Sequence, residues 1–169
     1  MAYKNKTYIA AEWDGDYDAV EQLHKWNSSN YWNLSFHDAH GLTQARDTSL
    51  NCSIKASLKT RMDASKQFVL IVGNNTKSAR AGSCQYCSAN RGYCTRGHSL
   101  DSRSYIEYEC AKAVDAGIEI VILYNSTFAD RNKCPDQVRY IGTHVPMKKL
   151  VGYSIDWDYP AVRRAIMGY

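Results

Sequence analysis

Gln67-Phe68-Val69-Leu70-Ile71-Val72, closed by Gly73, is the stretch that decides the fold. It is continuous, apolar and rich in β-branched residues, without the alternation of a strand that has one wet face. A run of this kind predicts a central strand of a parallel sheet, buried on both sides. Downstream, Ile118 to Tyr124 has the same character. Upstream, Tyr8-Ile9-Ala10-Ala11 is a shorter relative.

Helical patterns separate these runs. From about Asp18, Val20, Leu23 and Trp26 recur at three-residue spacing until the polar run Asn27-Ser28-Ser29-Asn30. Tyr31 to Phe36 predicts a second strand, followed by a polar loop from His37 to Thr48. Ile54, Leu58 and Met62 stripe a helix from about Asn51 to Ala64. Ser104 and Glu107 match a capping box, so a helix starts there and runs to Gly117, a favoured residue just past a helix end. A short helical piece over Asp136 to Ile141, a weak fifth strand over Lys149 to Tyr153 and a terminal helix over Asp158 to Met167, with Pro160 near its start, complete the pattern. Strand–helix alternation of this kind predicts a single α/β domain over residues 1–169: a three-layer, flavodoxin-like fold with a five-stranded parallel sheet of order 2-1-3-4-5.

Composition narrows the class. The 169 residues suffice for one domain with a core of its own. Twenty-one Lys and Arg against 17 Asp and Glu give +4, compatible with a small anionic ligand and too weak, without a basic stripe, to argue for nucleic acid. The apolar segment after the polar start is too short for a signal-peptide core or a membrane span, which predicts a cytoplasmic protein. In that compartment the six cysteines are unsuited to a disulfide framework and are read for metal binding or burial.

Between Gly73 and Ser104 lies a loop of about thirty residues where the usual connection is about two to six. Inside it, Cys84, Cys87, Cys94 and His98 follow C-x2-C-x6-C-x3-H. Four such ligands can close a tetrahedral zinc site and stiffen a segment without its own core. The alternative is free or partly buried thiols. Cys110 and Cys134 are further candidate ligands, and Cys52 is expected to pack in its helix.

In a doubly wound sheet ligands bind at the carboxyl ends of the strands, where the connections part to opposite faces. To that crevice the sequence delivers Trp13, Asp14 and Asp16 after the first strand, His37, Asp38, His40 and Arg46 after the second, and the long loop with Tyr108 and Glu109 after the third. Glu107 has a capping role that accounts for it; Glu109 has none, so a carboxylate is left at the ligand end of the sheet. Neither a GxGxxG nor a Walker sequence occurs, nor a GxSxG elbow with its partners, which disfavours dehydrogenases, P-loop enzymes and serine hydrolases. What remains is a crevice of carboxylates and aromatic rings suited to a sugar or nucleotide. Turn and capping chemistry is the competing account of Asp14 and Asp16.

Tyr8-Ile9-Ala10 with Asp14-Gly15-Asp16, Phe36-His37-Asp38-Ala39-His40, Ala45-Arg46-Asp47, Ser53-Ile54 to Leu58 with Arg61-Met62, Ser65-Lys66 to Gly73, and Tyr108-Glu109 to Ile122 resemble, in order and spacing, the divergent TIR-like domains of the Thoeris antiphage type. The resemblance spans about residues 7 to 125. It implies a TIR fold and an NADase that cleaves the nicotinamide–ribose bond of NAD, its substrate, to make an ADP-ribose-type signal, often through cyclase chemistry. That signal would activate a partner effector protein; self-association is common in the family, and no nucleic acid or membrane partner is implied. The family's glutamate, in the helix after the third strand, falls on Glu109. Trp13 and Tyr108 would then pack on rings and Arg46 would meet a phosphate. A non-catalytic TIR-type interaction module, and a nucleoside deoxyribosyltransferase-like enzyme working through a covalent sugar on the same glutamate, are the competing readings.

Overall fold

The computed structural model describes residues 4–38 and 50–169. Four strands, β1 (Lys6–Ala10), β2 (Ser65–Val72), β3 (Glu119–Tyr124) and β4 (Thr143–Pro146), form a parallel sheet in the order β1-β2-β3-β4. Phe68 stands opposite Tyr8 on one side and Ile120 on the other, which puts the apolar run of residues 67–72 inside the sheet. Two faces follow from its alternation. Ile9, Val69, Ile71, Val121 and Leu123 pack with α1 (Trp13–Ser28) and α4 (Tyr159–Met167). Tyr8, Phe68, Leu70, Ile120 and Ile122 pack with α2 (Asn51–Asp63) and α3 (Tyr105–Ala116). Helices on both sides of a parallel sheet explain why β2 has no polar period: no side chain of Phe68 to Val72 reaches water.

One predicted strand is corrected, and the placement of another. Residues 31–36 form no strand, because Asn33 (φ 48°) and Ser35 (φ 49°) take left-handed backbone conformations that interrupt a ladder. Leu34 and Phe36 are buried on the α1 side nonetheless, and the chain reaches β1 only at an isolated parallel bridge between Thr7 and Asp38, where Thr7 donates to the His37 carbonyl at 2.8 Å. The five-strand sheet is therefore four-stranded among the described residues, with that bridge standing where the second strand was expected. The strand expected over Lys149 to Tyr153 is present in part but does not join the parallel sheet. β5 (Lys148–Val151) pairs antiparallel with β6 (Ser154–Trp157), turning at Gly152 (φ 63°), while β4 takes the place beside β3. Gly142 makes that edge accessible to the chain: a Cβ there would lie 2.3 Å from the Ile120 carbonyl oxygen.

Smaller differences have local causes. α1 begins at Trp13 rather than near Asp18, because Glu12 caps it by accepting from the Gly15 amide at 2.6 Å, and a kink at Asp16 absorbs the early start. The expected helical piece over 136–141 is a succession of single turns. Among the described residues no helix is long and apolar enough to cross a membrane.

Candidate functional site

The capping box fixes where α3 starts. Ser104 Oγ accepts from the Glu107 amide at 3.1 Å, and Glu107 accepts from the Ser104 amide at 2.9 Å. From that start the helical repeat turns Ile106, Cys110 and Ala113 onto the sheet, and Glu109 is buried with them, only 3 % exposed. Its carboxylate meets Tyr8 of β1, whose hydroxyl donates to Glu109 Oε1 at 2.5 Å. Loss of solvent pushes the Glu109 carboxyl up to about 7, against the opposing pull of the Tyr8 hydrogen bond. The Tyr8 phenol is itself pushed far up, first by burial and then by the neighbouring carboxylate. Sequence reading missed Tyr8. The signal was present: a tyrosine inside a short buried strand needs a partner for its hydroxyl.

Tyr108, one residue before Glu109, is turned into different surroundings. Lys55, Arg103 and Lys112 stand over its ring at 5.6, 5.2 and 5.5 Å from the centroid. Lys55 is buried and donates to the Arg103 carbonyl at 2.8 Å, so this cluster ties the end of the long loop to α2.

Asp16 is the second buried carboxylate, on the helix of the opposite sheet face. It sits against Gly73 at the end of β2, where a Cβ would come within 2.0 Å of Asp16 Oδ1. Asn125, just past β3, donates to Asp16 Oδ1 at 2.9 Å, and Thr76 donates to Oδ2 at 3.4 Å while accepting from the Gly73 amide. Burial raises the Asp16 pKa, opposed by the Asn125 and Thr76 hydrogen bonds. Asp16 thereby joins the carboxyl ends of β2 and β3. Asp14 is exposed and Trp13 is partly exposed at the start of α1. Asp38 pairs with His24 at 3.2 Å and raises its pKa, chiefly through their hydrogen bond. His40 and Arg46 lie outside the described residues.

In the long loop Cys84, Cys87, Cys94 and His98 line one small cavity, and Cys52 of α2 lines it with them. All six cysteines are free thiols. As the side chains stand, no three His, Cys, Asp or Glu among the described residues are disposed to hold a metal ion. Cys110 and Cys134 are buried in the core on the α2–α3 face of the sheet.

Residues 6–81 match the family model described as Thoeris protein ThsB, TIR-like domain. This stretch is similar to the Thoeris TIR-like family. The match takes in β1, α1, α2 and β2, and with them Tyr8, Trp13, Asp14, Asp16 and Asp38, whereas Glu109 lies beyond it. A comparison with curated proteins found no match. The parallel α/β sheet is compatible with the flavodoxin-like arrangement.

Proposed function

We propose that this TIR-like domain cleaves NAD at the bond between nicotinamide and ribose and releases an ADP-ribose-type signal, cyclic if the adenine of the same molecule attacks in place of water. The observation that carries the reading is the Glu109 carboxyl, buried and oriented by Tyr8, on the helix that follows β2. Nicotinamide departs as a neutral molecule, so the reaction needs no general acid of the kind a glycosidase requires. It needs charge stabilisation of an oxocarbenium-like ribose, and an ionised Glu109 supplies that while accepting from ribose hydroxyls. With its pKa raised to about 7 the carboxyl is divided between its two forms near neutrality, and the cationic nicotinamide riboside of NAD favours the ionised one.

Access is the remaining requirement. At 3 % exposure Glu109 meets a substrate only after the packing between α3 and β1 opens, so turnover is low until self-association or a ligand opens it. The same burial favours a second reading, a non-catalytic TIR-type interaction module in which Glu109 and Tyr8 only join helix to sheet. Incubating the full chain with NAD over a wide range of protein concentration, and following nicotinamide release by chromatography, separates the two. Wild type releases nicotinamide and Glu109→Gln, equally folded by circular dichroism, falls by at least about 100-fold. Equal release from both proteins, or none from wild type at any concentration, favours the interaction module. Mass spectrometry of the NAD reaction then identifies the product available to an effector protein.

A further inference from the structure

The long loop between β2 and α3 makes few contributions to the core: Cys84 and Ala89 are its only buried apolar side chains between residues 82 and 103. It is nevertheless held at both ends. Asn51 of α2 donates to the Ser83 carbonyl at 3.0 Å, the Cys84 amide donates to the Asp101 carbonyl at 2.9 Å, and Tyr105 at the head of α3 packs over Gly82. Within these anchors the cysteines sit on tight turns. The Cys87 amide donates to the Cys84 carbonyl at 3.2 Å across the 3-10 turn of Cys84–Tyr86, and the Gly97 amide donates to the Cys94 carbonyl at 3.0 Å. The first of these turns carries Cys84 and Cys87, three apart, to the same side, and Cys94 lines the same cavity with them.

The sequence motif ends at His98, which is exposed. The tertiary structure supplies a less exposed alternative to His98 at the same cavity: Cys52 on the first turn of α2, 32 residues before Cys84 in sequence. These cysteines come to one cavity from two separate elements, α2 and the long loop. We propose that Cys52, Cys84, Cys87 and Cys94 form a structural Zn2+ site that fastens the long loop to α2 beside the head of α3. The donor set suits a borderline-soft ion that prefers four thiolates in a tetrahedron. Binding releases four thiol protons to solvent and leaves a centre of net charge −2, in a segment, residues 74–103, that carries Lys77, Arg80, Arg91, Arg96 and Arg103 against the single acid Asp101. In the arrangement described, no three of these side chains are disposed to hold an ion. Ligation needs rotation of the cysteine side chains and a shift of the turn at Cys94, which Gly92 (φ 83°) and Gly97 (φ 80°) flank.

The test uses the full chain expressed without a histidine tag and purified without chelator. Elemental analysis is expected to give one zinc per chain. Exchange with Co2+ is expected to give the intense d–d bands of a tetrahedral centre together with thiolate charge-transfer absorption. Alkylation followed by mass spectrometry reads the ligands in the wild type itself, where added zinc protects Cys52, Cys84, Cys87 and Cys94. Cys52→Ser is expected to lose the metal and His98→Ala to keep it. Protein that remains metal-free after incubation with Zn2+ or Co2+, a disulfide among these thiols in freshly purified metal-free protein, or protection of three cysteines with His98→Ala losing the ion and Cys52→Ser keeping it, would each overturn the assignment.

Discussion

Tyr8 of β1 and Glu109 of α3 are 101 residues apart in sequence and joined by a 2.5 Å hydrogen bond in which the phenol donates to the carboxyl group. The pair links the first strand to the helix that follows the long loop. It also holds an ionisable acid where water does not reach it, and this creates a conflict between stability and charge.

The conflict predicts a pH dependence. Glu109 has an ordinary pKa of 4.5 in the unfolded chain and about 7 in the folded protein, so between these values the folded state binds more protons. The stability contributed by the protonated form is complete below about pH 4.5 and is lost as pH rises through about 7. Glu109→Gln stays neutral throughout. Its unfolding free energy in urea titrations is expected to match wild type near pH 4.5 and to exceed it at pH 8, by up to about 3 kcal/mol. Equal pH slopes in the two proteins would contradict the assignment.

Tyr8→Phe probes the other partner. The Tyr8 hydrogen bond lowers the Glu109 pKa against the larger effect of burial, so removing the hydroxyl raises that pKa further. If an ionised Glu109 serves catalysis, the rising limb of the kcat–pH profile moves to higher pH. Stability falls by about 1–2 kcal/mol from the lost bond, measured by chemical denaturation.

Gly73→Ala tests whether Asp16 is a joint between strand ends. The added methyl would lie 2.0 Å from Asp16 Oδ1 and must displace the side chain from Asn125 and Thr76. A loss of about 2–4 kcal/mol is expected. Combined with Asp16→Ala, the double variant is expected to lose less than the sum of the single changes, because both disturb one contact.

Ser104→Ala removes half of the capping box that sets the start of α3. Thermal unfolding is expected to report a loss of about 1 kcal/mol, with Ser104→Asp retaining most of the stability since its side chain can accept from the same amide.

The sequence was most legible where local chemistry and packing agreed. Capping by Ser104 and Glu107, the stop at Gly117 and the apolar runs of β2 and β3 each left a signal within a few residues, and all of them appear in the structure. Tyr31 to Phe36 misled because its buried Leu34 and Phe36 have strand-like spacing. Left-handed turns at Asn33 and Ser35 bury them just as well, and hydrophobic spacing reports burial without reporting backbone pairing. Lys149 to Tyr153 misled for a related reason: β propensity does not reveal the partner, and Gly152 turned the strand into a hairpin.

The site divides along the same line. That position 109 holds an acid in the second turn of a capped helix was fixed by the order of residues alone, as was the gathering of cysteines in the loop. That the acid faces Tyr8, that Tyr108 turns instead into a cluster of cations, that Asp16 ties together two strand ends and that Cys52 joins the loop cysteines were decided only by the tertiary structure. Spacing along a helix or turn constrains neighbours a few residues apart, whereas partners 32 to 109 positions away meet only when sheet register and helix packing bring them together.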